Sequence, residues 1–84
     1  MKYDLLTDFL KKTPSHLDTV TLSFAQIEAI IHADLPPACG EHRAWWANQK
    51  DVKNRPQAKA WAKAGFVTDK IKMKKKWVRF ARKS

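Results

Sequence analysis

The sequence predicts a single α+β domain, on three observations. Apolar residues change spacing along the chain, from the helical interval of Leu6, Phe9 and Leu10 to the strict alternation of Val20, Leu22 and Phe24. Pro14, Pro36, Pro37, Pro56 and Gly65 cut the chain into short elements. The 84 residues, 44% of them hydrophobic, make one small core and no more.

The elements follow in order. Tyr3 to Lys12 reads as a helix, with Asp4 in its first turn, Lys11 and Lys12 in its last, and Thr13-Pro14 as its stop. Asp18 to Ser23 reads as a half-buried strand. Ser23-Phe24-Ala25-Gln26 fits a capping box and opens a second helix, Phe24 to His32, whose buried face is Phe24, Ile27, Ile30 and Ile31. After Ala33-Asp34-Leu35-Pro36, a third helix is expected from Pro37 to Gln49. It would place Cys39, His42 and Trp46 on one side and Arg43, Ala47 and Lys50 on another. Lys50 to Arg55 reads as a basic loop, and Pro56 to Ala64 as a fourth short helix stopped by Gly65. Phe66 to Lys83 reads as a β-hairpin with Lys74-Lys75-Lys76 at its tip. Its first strand alternates Val67, Asp69, Ile71 and Met73 with Phe66, Thr68, Lys70 and Lys72, and its second sets Val78 and Phe80 opposite Trp77 and Arg79. This order, with the fourth helix as an extension, is winged-helix-like over residues 1–84, with helices two and three as a helix-turn-helix.

Composition narrows the function classes. Nine aromatics, four of them Trp, argue against disorder, and one cysteine cannot form an internal disulfide. The apolar runs are too short to cross a membrane, and the first ten residues lack the pattern of a secretory signal. A reducing cytoplasm is the expected compartment. The formal charge is +9, unevenly spread. Residues 1–40 carry three Lys and five acids, a net −2, while residues 41–84 carry fourteen Lys and Arg and three acids, a net +11. Such clustered charge is best tolerated against a polyanion, of which nucleic acid is the commonest.

The candidate contact residues are Arg43, Asn48, Gln49, Lys50, Lys53, Arg55, Lys59, Lys63, Lys72, Lys74, Lys75, Lys76, Trp77 and Arg79. Arg43, Asn48 and Gln49 are side-chain types that read base edges, whereas the lysines suit phosphates. Trp46 and Trp61 are expected in the core; Trp45 and Trp77 suit either packing or base stacking. Cys39-x-x-His42 has metal-ligand types but no second pair, and no convergent acids or nucleophile–base pair is visible, so no cofactor, metal or enzymatic activity is expected.

Several strings resemble a small bacterial domain family of unknown function. They are Ser23-Phe24-x-x-Ile27-Glu28, Leu35-Pro36 followed by Cys39 where the family pattern has a small residue, Trp45-Trp46-x-Asn48, Ala60-Trp61-x-x-Ala64-Gly65-Phe66 and Val78-x-Phe80. The resemblance implies a compact fold and a functional role for Asn48; it brings no established activity.

The expectation is therefore a nucleic-acid-binding protein, first of double-stranded DNA, contacting it through helix three, the 50–55 loop and the Lys-rich wing. Two alternatives stand beside it. One is a protein-interaction module, such as an inhibitor encoded by a phage or mobile element, that docks on an acidic protein surface or in a nucleic-acid channel. The other is an RNA or single-strand binder.

Overall fold

A computed structural model describes residues 3–48 and 56–83. The elements are α1 (Asp4–Lys11), β1 (Thr19–Ser23), α2 (Phe24–Ile31), α3 (Ala38–Glu41), a 3-10 helix (Arg43–Trp46), α4 (Pro56–Lys63), β2 (Phe66–Lys72) and β3 (Trp77–Arg82). The α+β class and most boundaries follow the sequence pattern. The capping box is present in full. Ser23 Oγ accepts from Gln26 N at 3.0 Å, and Gln26 Oε1 accepts from Ser23 N at 2.7 Å. His32 (φ 56°) ends α2 and Gly65 (φ 82°) follows α4, both in the left-handed region, which glycine enters without steric cost.

The third helix differs from expectation. The helix expected from Pro37 to Gln49 is, over its described residues 37–48, not one helix but a single α-turn, a break and a 3-10 turn. The break is at His42, which is extended (φ −125°, ψ 111°). Its cause is the burial of Trp46. Folding the chain back at His42 lets the Trp46 indole enter the core and donate from Nε1 to the Cys39 carbonyl at 2.9 Å. A buried indole N–H needs such a partner, and a helix would have tied that carbonyl to its own ladder. Gly40, a poor helix former, adds little resistance. The faces expected of a continuous helix, Cys39 with His42 and Trp46, and Arg43 with Ala47, are therefore not formed; Lys50, expected beside Arg43, lies outside the described residues.

The core lies between the helices and one face of the sheet. An aromatic column crosses it. Phe24 of α2 stacks on Trp46 (5.1 Å between centroids), Trp46 on Trp61 of α4 (5.9 Å), and Trp61 meets Phe80 of β3 (5.5 Å). Trp45 packs edge-on against Trp46 and Tyr3, so it belongs to the rim of this column. Leu6, Leu10, Ile27, Ile31, Phe66 and Val78 complete the interior. Thr7 ties α1 to α4 by donating to the Ala60 carbonyl at 2.9 Å.

The three strands are antiparallel in the order β1-β3-β2. Phe24 N donates to the Lys76 carbonyl (2.9 Å) at one end of the β1–β3 ladder, and Arg82 N to the Asp18 carbonyl (2.7 Å) at the other. These two bonds fix the phase between them. Val20 and Leu22 bond to β3 through their backbone groups, and those of Thr19 and Thr21 point away from it. In β2 a bulge between Thr68 and Lys70 breaks the expected alternation. Ile71 lies beside Val78 on the inner face, while Val67 lies beside Ala81 on the outer one. The sequence alternation had put Val67 and Ile71 together. The outer face carries Thr21, Arg79 and Lys70 in one row and Ser23, Trp77 and Lys72 in the next.

Candidate nucleic-acid interface

The Lys-rich hairpin is the best-defined part of the basic half. Lys72, Lys74, Lys75 and Lys76 are all exposed. Lys76 takes a left-handed conformation (φ 57°) to close the turn, and its N–H reaches the Met73 carbonyl at 3.3 Å. The bond from Phe24 N pins this tip to the start of α2. The Ser23–Gln26 box serves the Ser23 and Gln26 amides and the Lys76 carbonyl that of Phe24, so what the tip presents is chiefly lysine charge.

On the outer sheet face the candidates divide. Trp77 is half-buried, beside Lys72 in register. Arg79 is held by Asp69, its Nε donating to Oδ2 at 2.8 Å and its terminal nitrogen lying 2.6 Å from the same oxygen. The bulge brings Asp69 to this position, and the pair takes Arg79 out of the set of unopposed cations. Lys70, absent from the expected contacts, is exposed in the same row as Arg79. Only the shift at the bulge puts it there, which periodicity does not reveal.

Lys59 and Lys63 lie on the exposed side of α4, away from the buried Trp61. They line a shallow cavity of about 180 Å³ with Tyr3, Asp4, Pro56 and Ala60. Asp4 offsets part of their charge there. Arg43 is exposed in the 3-10 turn. Gln49, Lys50, Lys53 and Arg55 lie outside the described residues. Helix three thus supplies no continuous face with which to enter a groove.

The Asn48 side chain is engaged within the fold. Its Nδ2 donates to the Thr68 carbonyl at 2.8 Å, and its Oδ1 accepts from Thr68 N at 2.8 Å and from the Trp61 indole at 3.2 Å. The side-chain amide pairs with β2 as one residue of a neighbouring strand would. Thr68 answers by donating its hydroxyl to the Trp46 carbonyl at 2.7 Å. These bonds give Asn48, for which the resemblance implied a functional role, a structural task in the fold.

The other resemblance motifs are likewise engaged in folding. Ser23 caps, Phe24, Ile27, Leu35, Trp46, Trp61, Phe66, Val78 and Phe80 are buried, and Glu28 Oε2 accepts from Leu35 N at 2.8 Å to hold the turn after α2. Cys39 is buried. Burial pushes its thiol pKa up, the Glu28 carboxylate adds to the rise, and the Lys76 ammonium opposes it. Arg82, stacked 4.8 Å over the Phe66 ring, donates to the Pro14 and Leu17 carbonyls and ties the loop before β1 to the sheet. Among the described residues, no three His, Cys, Asp or Glu side chains are placed to hold a metal ion, and no helix is long and apolar enough to cross a membrane.

No curated protein and no solved structure matches the chain. Residues 3–83 match the family model of a domain of unknown function, DUF7662, and the chain belongs to that family.

Proposed function

We propose that this domain binds nucleic acid, double-stranded DNA in the first place, by electrostatic capture on its C-terminal half. The observation that carries the reading is the hairpin. Four exposed lysines, Lys72 at the end of β2 and Lys74, Lys75 and Lys76 in the turn anchored to α2, project from a half whose net charge is +11. Lysine on a fixed turn suits phosphate contact, which positions a protein on a duplex without reading its sequence. The order of elements and the central place of β3 support a winged-helix arrangement. In that arrangement the helix directly before the hairpin faces the groove, and here it is α4 with Lys59 and Lys63 rather than the 37–49 segment. Lys70, beside the hairpin's end, joins the set; Arg79 and Asn48, engaged as described, leave it.

A salt titration of binding to a random-sequence duplex tests this, with an equal-length single strand as competitor. The logarithm of affinity should fall linearly with the logarithm of salt concentration. Absence of duplex binding near physiological salt rejects the proposal and turns attention to an acidic protein partner. A second reading, single-strand or RNA binding, is favoured by one observation: Trp77 sits partly exposed on the outer sheet face beside Lys72. Preference for the single strand, lost in Trp77→Ala, would select it.

A further inference from the structure

The two edges of the sheet are treated differently. At the β2 edge, Asn48 pairs with both backbone groups of Thr68, and the strand carries a bulge, Asp69, Lys70 and Lys72. Charges and bulges of this kind keep edges from pairing with other chains. At the β1 edge, the N–H and C=O groups of Thr19 and Thr21 point outward, and no described residue meets them. From Thr19 to Ser23 this strand has no charge, proline or bulge.

Beside that edge lies an apolar groove lined by Phe9, Lys12, Thr13, Pro14, Leu17 and Val20. Phe9 and Leu17 are 39% and 43% exposed, high values for large apolar side chains in a small domain. The edge and the groove are continuous through Val20, whose side chain lies on the inner face of the sheet.

We propose that β1 is a homodimer interface, in which the β1 strands of two copies pair antiparallel into one six-stranded sheet. Self-complementarity and charge identify the second copy as the occupant. Thr19-Val20-Thr21 is symmetric about Val20. With the two-fold axis at Val20, Thr19 of each copy faces Thr21 of the other, and the outward groups form four N–H···O bonds. The two Val20 side chains then meet between the two grooves. Asp18 faces Leu22 of the second copy, so no like charges oppose one another within the pairing. The interface also belongs to the half with net charge −2, whereas contact through the other half would press +11 against +11. Such a contact is isologous and closes at two copies.

Sedimentation velocity of the whole chain without nucleic acid, from micromolar to near-millimolar concentration, should show a monomer–dimer equilibrium. Thr21→Pro removes an outward N–H that the β1–β3 ladder does not use, and should weaken the dimer by more than an order of magnitude with an unchanged far-UV spectrum. Should that variant misfold, Val20→Cys tests the same register. At a non-hydrogen-bonded antiparallel pair the Cα atoms are about 4.5 Å apart, within disulfide range, so oxidation should give a covalent dimer on a non-reducing gel. A protein that stays monomeric throughout overturns the proposal. So does a dimer that tolerates Thr21→Pro or leaves Val20→Cys uncrosslinked. None of these results bears on the nucleic-acid reading, which the salt titration tests separately.

Discussion

Replacing Asn48 with alanine should destabilise the domain by about 2–4 kcal/mol. The side chain makes three hydrogen bonds, two to the backbone of Thr68 and one to the Trp61 indole. Thr68 is only half-buried, so water replaces the lost partners in part, and these two bonds together contribute about 1 kcal/mol. Trp61 is 1% exposed, and an indole N–H left without a partner there costs about 1–3 kcal/mol. In a domain of this size the loss lowers Tm by roughly 10–30 °C. Asn48→Asp should not rescue, because it keeps the acceptor but sets a carboxylate oxygen against the Thr68 carbonyl. Thermal and urea unfolding followed by far-UV circular dichroism measure the change. A loss below about 0.5 kcal/mol would refute the structural role. A variant of native stability that no longer binds DNA would return Asn48 to the interface.

Other outcomes are expected from the same geometry. Changing Lys74, Lys75 and Lys76 together to Glu should weaken duplex binding and reduce its salt slope by about 1 per lost phosphate contact, read by fluorescence anisotropy; an unchanged slope removes the hairpin from the interface. Lys59→Glu with Lys63→Glu should have a smaller effect, because Asp4 already offsets that surface. Cys39 should react with a thiol reagent at the rate of unfolding rather than that of a free thiol, since burial keeps it protonated and covered. Its raised pKa also makes its contribution to stability pH-dependent: fully present below the ordinary thiol range and lost as pH rises through and above that range, a decline that Cys39→Ala should lessen in urea midpoints. Thr7→Val should cost about 1 kcal/mol in the same assay by removing the α1–α4 hydrogen bond.

Where local chemistry decides, the sequence is a good guide. The Ser23–Gln26 box, the alternation of β1, the stop at Gly65 and the turn at Lys74–Lys76 all depend on residues close in the chain. The 37–49 segment is where tertiary need overrides local pattern. Burying Trp46 in a column between Phe24 and Trp61 outweighs the hydrogen bonds of a longer helix, and nothing between Pro37 and Gln49 announces those partners. The bulge in β2 has the same character: it shifts which residues face inward, and Asp69 next to Arg79 follows from it. Of the proposed interface, the net charge and the hairpin lysines were legible. The engagement of Asn48 and Arg79 was not, since each partner lies ten or more residues away.

The placement of β3 sets the timing of assembly. Both edge strands pair with it and not with each other, yet it is the last of the three in the chain. Thr19 waits for Ala81, its partner across β3. During synthesis α1, β1 and α2 leave the ribosome with no ladder to join, and the backbone edge of β1 that pairs with β3 stays unpaired until residues 77–82 emerge. Long-range closure of this kind slows folding relative to helical domains of equal size. It also makes the nascent chain depend on its helical half for early compaction, with the sheet completed in a single late step.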